Sequence, residues 1–332
     1  MLETLAVIIS GTYYIGMILG TIDLILTLKL KGNIKKTQVI KDKGSKYIGK
    51  KKIIILIPAL KEENIITSTI DRITTLDYPN YKVIVVTHVS DPKTAHIARK
   101  HIKDMKYMNI EVREYNYKPM TKPSALNYAI LDLLSSGEEF DILGIVDAEN
   151  WFGKRDILQR INRLFEDPHI GALQIRILPI YEKKTFWKEI VQLTACVEFA
   201  DLYSLSQGNL FAYGKMMIKN RYTTPFLGGT GCFYSFKAIE GLISLSPYLM
   251  PFDPYDLTED FNSSISIIGK IPGQQRIIYD PEDYIYAYFP YSLSRRIRQA
   301  TRWNIGKLLS MLKINVLKFC LLYTSPSPRD RG

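Results

Sequence analysis

The chain has 332 residues, 46% of them hydrophobic and 23% charged, which excludes a disordered protein and allows one large core or two modest ones. Its net charge of +11 first suggests a nucleic-acid partner, but a lysine run from Lys29 to Lys52, opposed there only by Asp42, carries most of it. The rest is close to neutral, which disfavours a basic nucleic-acid-binding protein without catalysis and leaves no nucleic-acid partner expected.

From Thr4 to Ile22 there is no charge, and as a helix this run would reach about 28 Å, nearly a bilayer core. Leu24 to Leu28 extend it past Asp23, and the lysines that follow put that flank in the cytoplasm. Glu3 stands where a signal peptide would carry a cation, and no A-x-A site follows, so an uncleaved anchor is the better reading. Residues 1–28 are expected to form a transmembrane anchor, and 29–51 a basic linker attracted to anionic membrane lipids.

Two short apolar runs, Lys52 to Pro58 and Tyr81 to Thr87, read as strands buried on both faces. Glu62 to Leu76 between them has helical spacing. Helices near Lys93 to Met105 and Lys122 to Leu134 alternate with strands near Ile110 to Tyr115 and Ile142 to Val146. This alternation indicates βαβ units, hence an α/β protein with a mostly parallel sheet and ligands at the carboxyl ends of its strands. Beyond Asp156 we expect a helix to Phe165, a strand near Ala172 to Ile177, and a helical, membrane-facing segment from Lys183 to Met217. Arg295 to Lys318 mixes cations with apolar residues as an interfacial helix does. Tyr323 to Gly332 lose all periodicity and read as a non-native tail. The cysteines, Cys196, Cys232 and Cys320, are too scattered for a disulfide framework or a zinc knuckle.

Asp147-Ala-Glu149 directly follows a predicted strand, where two carboxylates one residue apart can face one divalent ion. Alone, such a pair is most often an acidic turn. Thr258-Glu-Asp260 precedes a helical run; alone it is an N-cap threonine with acids in the first turn, and functionally Asp260 could accept the proton of an attacking hydroxyl. Gln299, Arg302 and Trp303 share a helix face, where Arg can fork onto phosphate and an indole can stack on a sugar, although interfacial anchoring is the commoner use. Lys122 sits at a loop-to-helix start, a good place to meet phosphate. Leu227-Gly-Gly-Thr-Gly231 lacks the spacing of a P-loop or a dinucleotide fingerprint and so does not support an ATPase or dehydrogenase; a flexible backbone approaching a substrate is the better reading, with a plain turn the alternative.

Taken in order, Pro58-Ala-Leu-Lys-Glu-Glu63, Lys122-x-x-Ala-Leu-Asn127, Asp147-Ala-Glu149, Gly228-Gly-Thr230, Thr258-Glu-Asp260 and Gln299-x-x-Arg302-Trp303 resemble the family 2 inverting glycosyltransferases. The likeness is greatest to membrane-embedded synthases of the cellulose, hyaluronan and poly-N-acetylglucosamine kind. It implies a GT-A fold over residues 52–303, with 304–322 interfacial or the start of a membrane segment and 323–332 the tail. It implies transfer from a nucleotide diphosphate sugar, a UDP-sugar first, onto a growing polysaccharide at the cytoplasmic membrane face; a single transfer onto a lipid acceptor is the alternative. By the same resemblance Ala59 and Glu62 line the nucleoside pocket, Lys122 and Arg302 approach the diphosphate, and Asp147 with Glu149 holds Mg²⁺ or Mn²⁺. Asp260 would be the base, with Gly229, Thr230, Glu259, Gln299 and Trp303 around the acceptor. The family usually carries acids after its second strand, where this chain reads Thr87-His-Val-Ser-Asp91.

Overall fold

In a computed structural model of the chain, residues 51–181, 185–196, 226–273 and 276–314 are described. The expected anchor at 1–28, all of the linker but Lys51, most of the segment read as membrane-facing, and the tail at 323–332 lie outside them. Among the described residues no helix is long and apolar enough to cross a membrane.

Eight strands form one sheet in the order β3-β2-β1-β4-β7-β6-β8-β5. The first four are β1 (Ile53–Pro58), β2 (Tyr81–His88), β3 (Ile110–Tyr115) and β4 (Ile142–Ile145), joined in parallel. Every residue of β1 from Ile53 to Ile57 is buried, and alternate ones enter different cores. A continuous apolar run is what a strand covered on both faces requires. One face is covered by α1 (Ile66–Ile73), α2 (Pro92–Met105) and α4 (Ile157–Leu164), whose Ile66, Ile70, Ala98, Leu158 and Ile161 pack beside Ile53, Ile55 and Ile57. On the other face, α3 (Lys122–Ser135) sets Leu126 and Ile130 against Ile54 and Leu56.

The second half of the sheet departs from the mostly parallel expectation. β7 (Cys232–Ser235) runs antiparallel to β4 and to β6 (Ile170–Pro179), because the chain turns at Gly229 to Gly231 beside the carboxyl end of β4 and leaves in the opposite direction. β8 (Arg276–Ala287) lies parallel to β6, with β5 (Trp151–Phe152) antiparallel at its far edge. The remaining helices are α5 (Phe186–Cys196), α6 (Phe236–Leu245), α7 (Glu259–Lys270) and α8 (Leu293–Ile314). Only the first part of the expected interfacial segment is therefore seen, as α8.

Candidate active site

The parallel order β2-β1-β4 opens a crevice at the carboxyl ends of these strands, the usual ligand position in such sheets. A cavity of about 550 Å³ occupies it. Each of its walls is built by local chemistry that can be traced.

After β1, Ala59 stays in register by donating its N–H to the Val86 carbonyl. The next turn puts Lys61 in the left-handed region at φ 61°, a conformation that costs a lysine about 1 kcal/mol. Its N–H is held by the Asp91 carboxylate at 2.5 Å, and the Glu62 N–H donates to Thr94 Oγ1 at 3.0 Å. The loop is thus tied to the start of α2, and Glu62 lines the cavity. Asp91, the acid nearest the end of β2, is consumed as the N-cap of α2.

Thr121 caps α3 by accepting from Ser124 N–H and also donates to the Pro254 carbonyl at 2.9 Å. Lys122, next in sequence, lies 2.5 Å from Asp147 Oδ1, donates to the Gly229 carbonyl at 2.6 Å, and is 3.8 Å from Glu259 Oε1. Burial works against its positive charge, but Asp147 and Glu259 prevail and hold its pKa above the ordinary lysine value.

The turn Asp147 to Asn150 is gripped from two sides. Thr230 Oγ1 accepts from the Asp147 N–H at 3.2 Å and from Asn150 Nδ2 at 2.9 Å, while the Thr69 hydroxyl donates to the Ala148 carbonyl. Thr230, expected at the acceptor, is buried, and its hydroxyl is bonded to the Asp147 N–H and to Asn150 Nδ2. Gly229 does face the cavity. With φ at +78°, it sits where a Cβ would come within 3.2 Å of Asp260 Oδ2, so glycine is required both for the backbone and for the close approach. Gln174 braces this loop: its Oε1 accepts from Gly228 N–H and its Nε2 donates to the Thr230 carbonyl. No motif marked Gln174 or Asn150; a lone amide in a strand or turn gives no pattern to read.

Glu259 and Asp260 open α7, as expected. Thr258 does not cap it: its side chain makes no capping bond, and its hydroxyl is buried against α8, where a Cβ on Gly306 would lie 2.7 Å away. Asp260 Oδ1 accepts from the Phe261 N–H at 2.8 Å. The Asp260 carbonyl accepts from the Ser263 and Ser264 hydroxyls, and Ser264 Oγ in turn accepts from Leu227 N–H. From α8, Gln299, Arg302 and Trp303 complete the lining. Trp303 is partly buried against the core with Arg296 over its ring at 5.4 Å, and Gln299 accepts from Arg296 at 2.8 Å.

Four carboxylates here are pushed toward protonation. Burial raises Glu62 to about 7, helped by Glu149 and Asp147; burial and then Asp147 raise Glu149. Burial raises Glu259 to about 7 against the pull of Lys122, and burial raises Asp260 against the Phe261 N–H and Lys122. Buried acids gathered in a cleft suit a cationic or proton-transferring task.

A family model described as "Glycosyltransferase like family 2" matches residues 51–306, a span that includes every residue lining this cavity. The chain belongs to that glycosyltransferase family. Over 285 residues this glycosyltransferase is 24% identical to bacteriophage adsorption protein B of Escherichia coli, covering 77% of the chain and 36% of that protein. Over 137 residues it is 29% identical to a beta-monoglucosyldiacylglycerol synthase of Trichormus variabilis, covering 41% and 28%. The chain spans about a third of the length of these relatives. Among solved structures, the mannosyltransferase PcManGT from Pyrobaculum calidifontis, in complex with GDP-Man and Mn²⁺, aligns at TM-score 0.61 and 17% identity over 94% of this chain and 76% of that one. That likeness speaks for the fold, which is of the GT-A type with a mixed sheet.

Proposed function

We propose that this glycosyltransferase moves a sugar from a nucleoside diphosphate donor to an acceptor hydroxyl with inversion, at a membrane surface. The observation that carries the reading is the convergence of Lys122, Asp147, Glu149, Glu259 and Asp260, from three separate stretches of chain, on one cavity.

In this mechanism the acceptor oxygen attacks the anomeric carbon from the face opposite the diphosphate. The bond from that carbon to the phosphate oxygen breaks, its electron pair leaving with the diphosphate. Asp260 takes the hydroxyl proton as the new bond forms. Its burial favours this role, because a carboxylate raised above its ordinary value is a stronger base. Lys122 and Arg302 hold the diphosphate, Ala59 and Glu62 meet the nucleoside, and Gly229, Glu259, Gln299 and Trp303 surround the acceptor, with Thr230 acting through Asp147.

A divalent cation, Mg²⁺ or Mn²⁺, would fit Asp147 and Glu149: burial and then Asp147 raise Glu149, and burial, then Glu149 and Asp147, raise Glu62, so these acids share a place that a cation would stabilise. Among the described residues no three acidic, His or Cys side chains are grouped to hold a metal by themselves, so the diphosphate and water would complete its shell. When bound, the ion supplies neutralisation of charge on the leaving diphosphate.

A growing polysaccharide remains the first acceptor reading. The lipid reading is favoured by the exposed Phe186, Trp187 and Leu193 of α5 and Leu293, Ile297 and Leu309 of α8, the helix that also brings Arg302 and Trp303 to the cavity. The match to a beta-monoglucosyldiacylglycerol synthase points the same way.

The test is release of nucleoside diphosphate from UDP-glucose, UDP-N-acetylglucosamine and GDP-mannose in membranes with Mg²⁺ or Mn²⁺. Asp260→Asn is expected to lower turnover at least about 10²-fold while donor binding persists. Unchanged turnover would remove Asp260 as the base.

A further inference from the structure

The cavity has two halves of opposite character. Lys122, Asp147, Glu149, Glu259 and Asp260 make one; Pro58, Ala59, Leu60, Val86, Tyr115 and Met120, at or just beyond the carboxyl ends of β1, β2 and β3, make the other, with Glu62 between them. This second half suits a flat, largely apolar group, and a donor with its diphosphate at Lys122 would carry its base there.

Tyr115 is the last residue of β3 and only 3% exposed, yet it lines the cavity. Its ring is fixed on several sides: His88 meets it edge-on at 4.8 Å, Tyr117 lies at 5.3 Å and Tyr128 at 6.1 Å. Its carbonyl accepts from Val89 N–H, but its hydroxyl makes no hydrogen bond with any described residue. Several nearby polar groups are engaged elsewhere. Tyr117 donates to the Ser124 carbonyl, Thr121 to Pro254, His88 Nδ1 pairs with Ser90, and Asp91 accepts from Lys61 and Thr94. A rigid hydroxyl with no hydrogen bond to a described residue, at an apolar cavity wall, is available to a ligand that enters there.

We propose that the Tyr115 hydroxyl reads the edge of the donor nucleobase and so sets which nucleoside diphosphate sugar is accepted. The inference rests on the donor-site reading above. A phenol both donates and accepts, whereas an ionised carboxylate only accepts, so the base edge that satisfies Tyr115 need not be one that an acid would choose. Because packing already holds the ring, little entropy is lost when it binds, which favours discrimination over mere affinity.

Equilibrium dialysis of the full chain with Mn²⁺ would compare UDP, GDP, CDP and ADP, together with base-free ribose 5-diphosphate, on wild type and Tyr115→Phe. The substitution keeps the ring contacts, and a thermal melt checks that it folds. The preference of the best-bound nucleotide over the next should fall about tenfold, the factor corresponding to about 1.4 kcal/mol, with ribose diphosphate bound equally by both proteins. An unchanged preference, or equal weakening of the base-free ligand, would overturn the inference while leaving the donor site standing. Binding of none of these ligands to wild type would overturn the donor-site reading itself. Should the variant melt early, an analogue of the preferred nucleotide methylated on its base edge supplies the comparison on wild type: a loss of about tenfold supports the role of Tyr115, and undiminished binding refutes it.

Discussion

Asp283 illustrates what a single residue contributes at a distance from the cavity. It lies where β8 bulges, 2% exposed, paired at 3.1 Å with Lys154 and 3.5 Å from Arg160, which also holds Asp280 at 2.6 Å. Burial, and then the neighbouring Asp280, raises Asp283 from 3.8 to about 6. Between those values the unfolded chain has already lost this proton while the folded one keeps it, so stability falls as pH rises from about 4 to about 6, by at most about 3 kcal/mol. Asp283→Asn should flatten that part of the Tm profile; a decline as steep as in wild type would assign it to other groups. The chemistry of the cavity was more legible than this pair. Asp147, Glu149 and Asp260 could be found because each follows a strand or opens a helix. Which way the Thr230 hydroxyl turns could not be read, because sequence says nothing of the direction of a loop side chain, and Tyr115 drew no attention because a tyrosine closing a strand is ordinary core material.

Among the elements, α3 is tied to the segment before α7, between the walls proposed for donor and acceptor, through the side chain of Asn127. Its Nδ2 donates to the Phe252 carbonyl at 2.7 Å, and its Oδ1 accepts from the Phe252 N–H at 3.1 Å, fixing the segment that leads into α7. Asn127→Ala would strand both backbone groups in a buried place, so we expect a loss of about 2–3 kcal/mol by urea denaturation, with a matching fall in turnover. A loss below about 0.5 kcal/mol would mean that water replaces the amide. The parallel half of the sheet could be drawn from sequence because its runs are continuous and apolar. β8 was missed because Asp280-Pro281-Glu282-Asp283 interrupts it, and a proline among acids reads as a turn; the bulge and the Arg160 and Lys154 pairs accommodate those residues within a strand. β7 was missed because four residues are too few to show a period.

For the molecule as a whole, the net charge was a poor guide to the site, since the lysines that dominate it precede the described core. The exposed apolar residues of α5 and α8 are more telling. Phe186 is 68% and Trp187 75% exposed, and their helix contacts α8. If these helices rest on lipid, brominated acyl chains should quench Trp187 in the reconstituted protein. Trp151 is covered on one face by Arg72 at 3.7 Å, and Trp303 is packed into the cavity wall, so Trp187→Phe should abolish most of the quenching. Quenching that survives would locate the bilayer elsewhere.

Gly306 sets how closely α8 approaches the start of α7. The wall proposed for the donor grows out of the sheet itself, whereas part of the wall proposed for the acceptor arrives on α8, fitted to Thr258 and Leu257 through a residue with no side chain. Because α8 also carries Arg302, a substitution at Gly306 that pushes the helix off Thr258 would disturb the proposed diphosphate contact together with the acceptor wall, so donor and acceptor binding should weaken together.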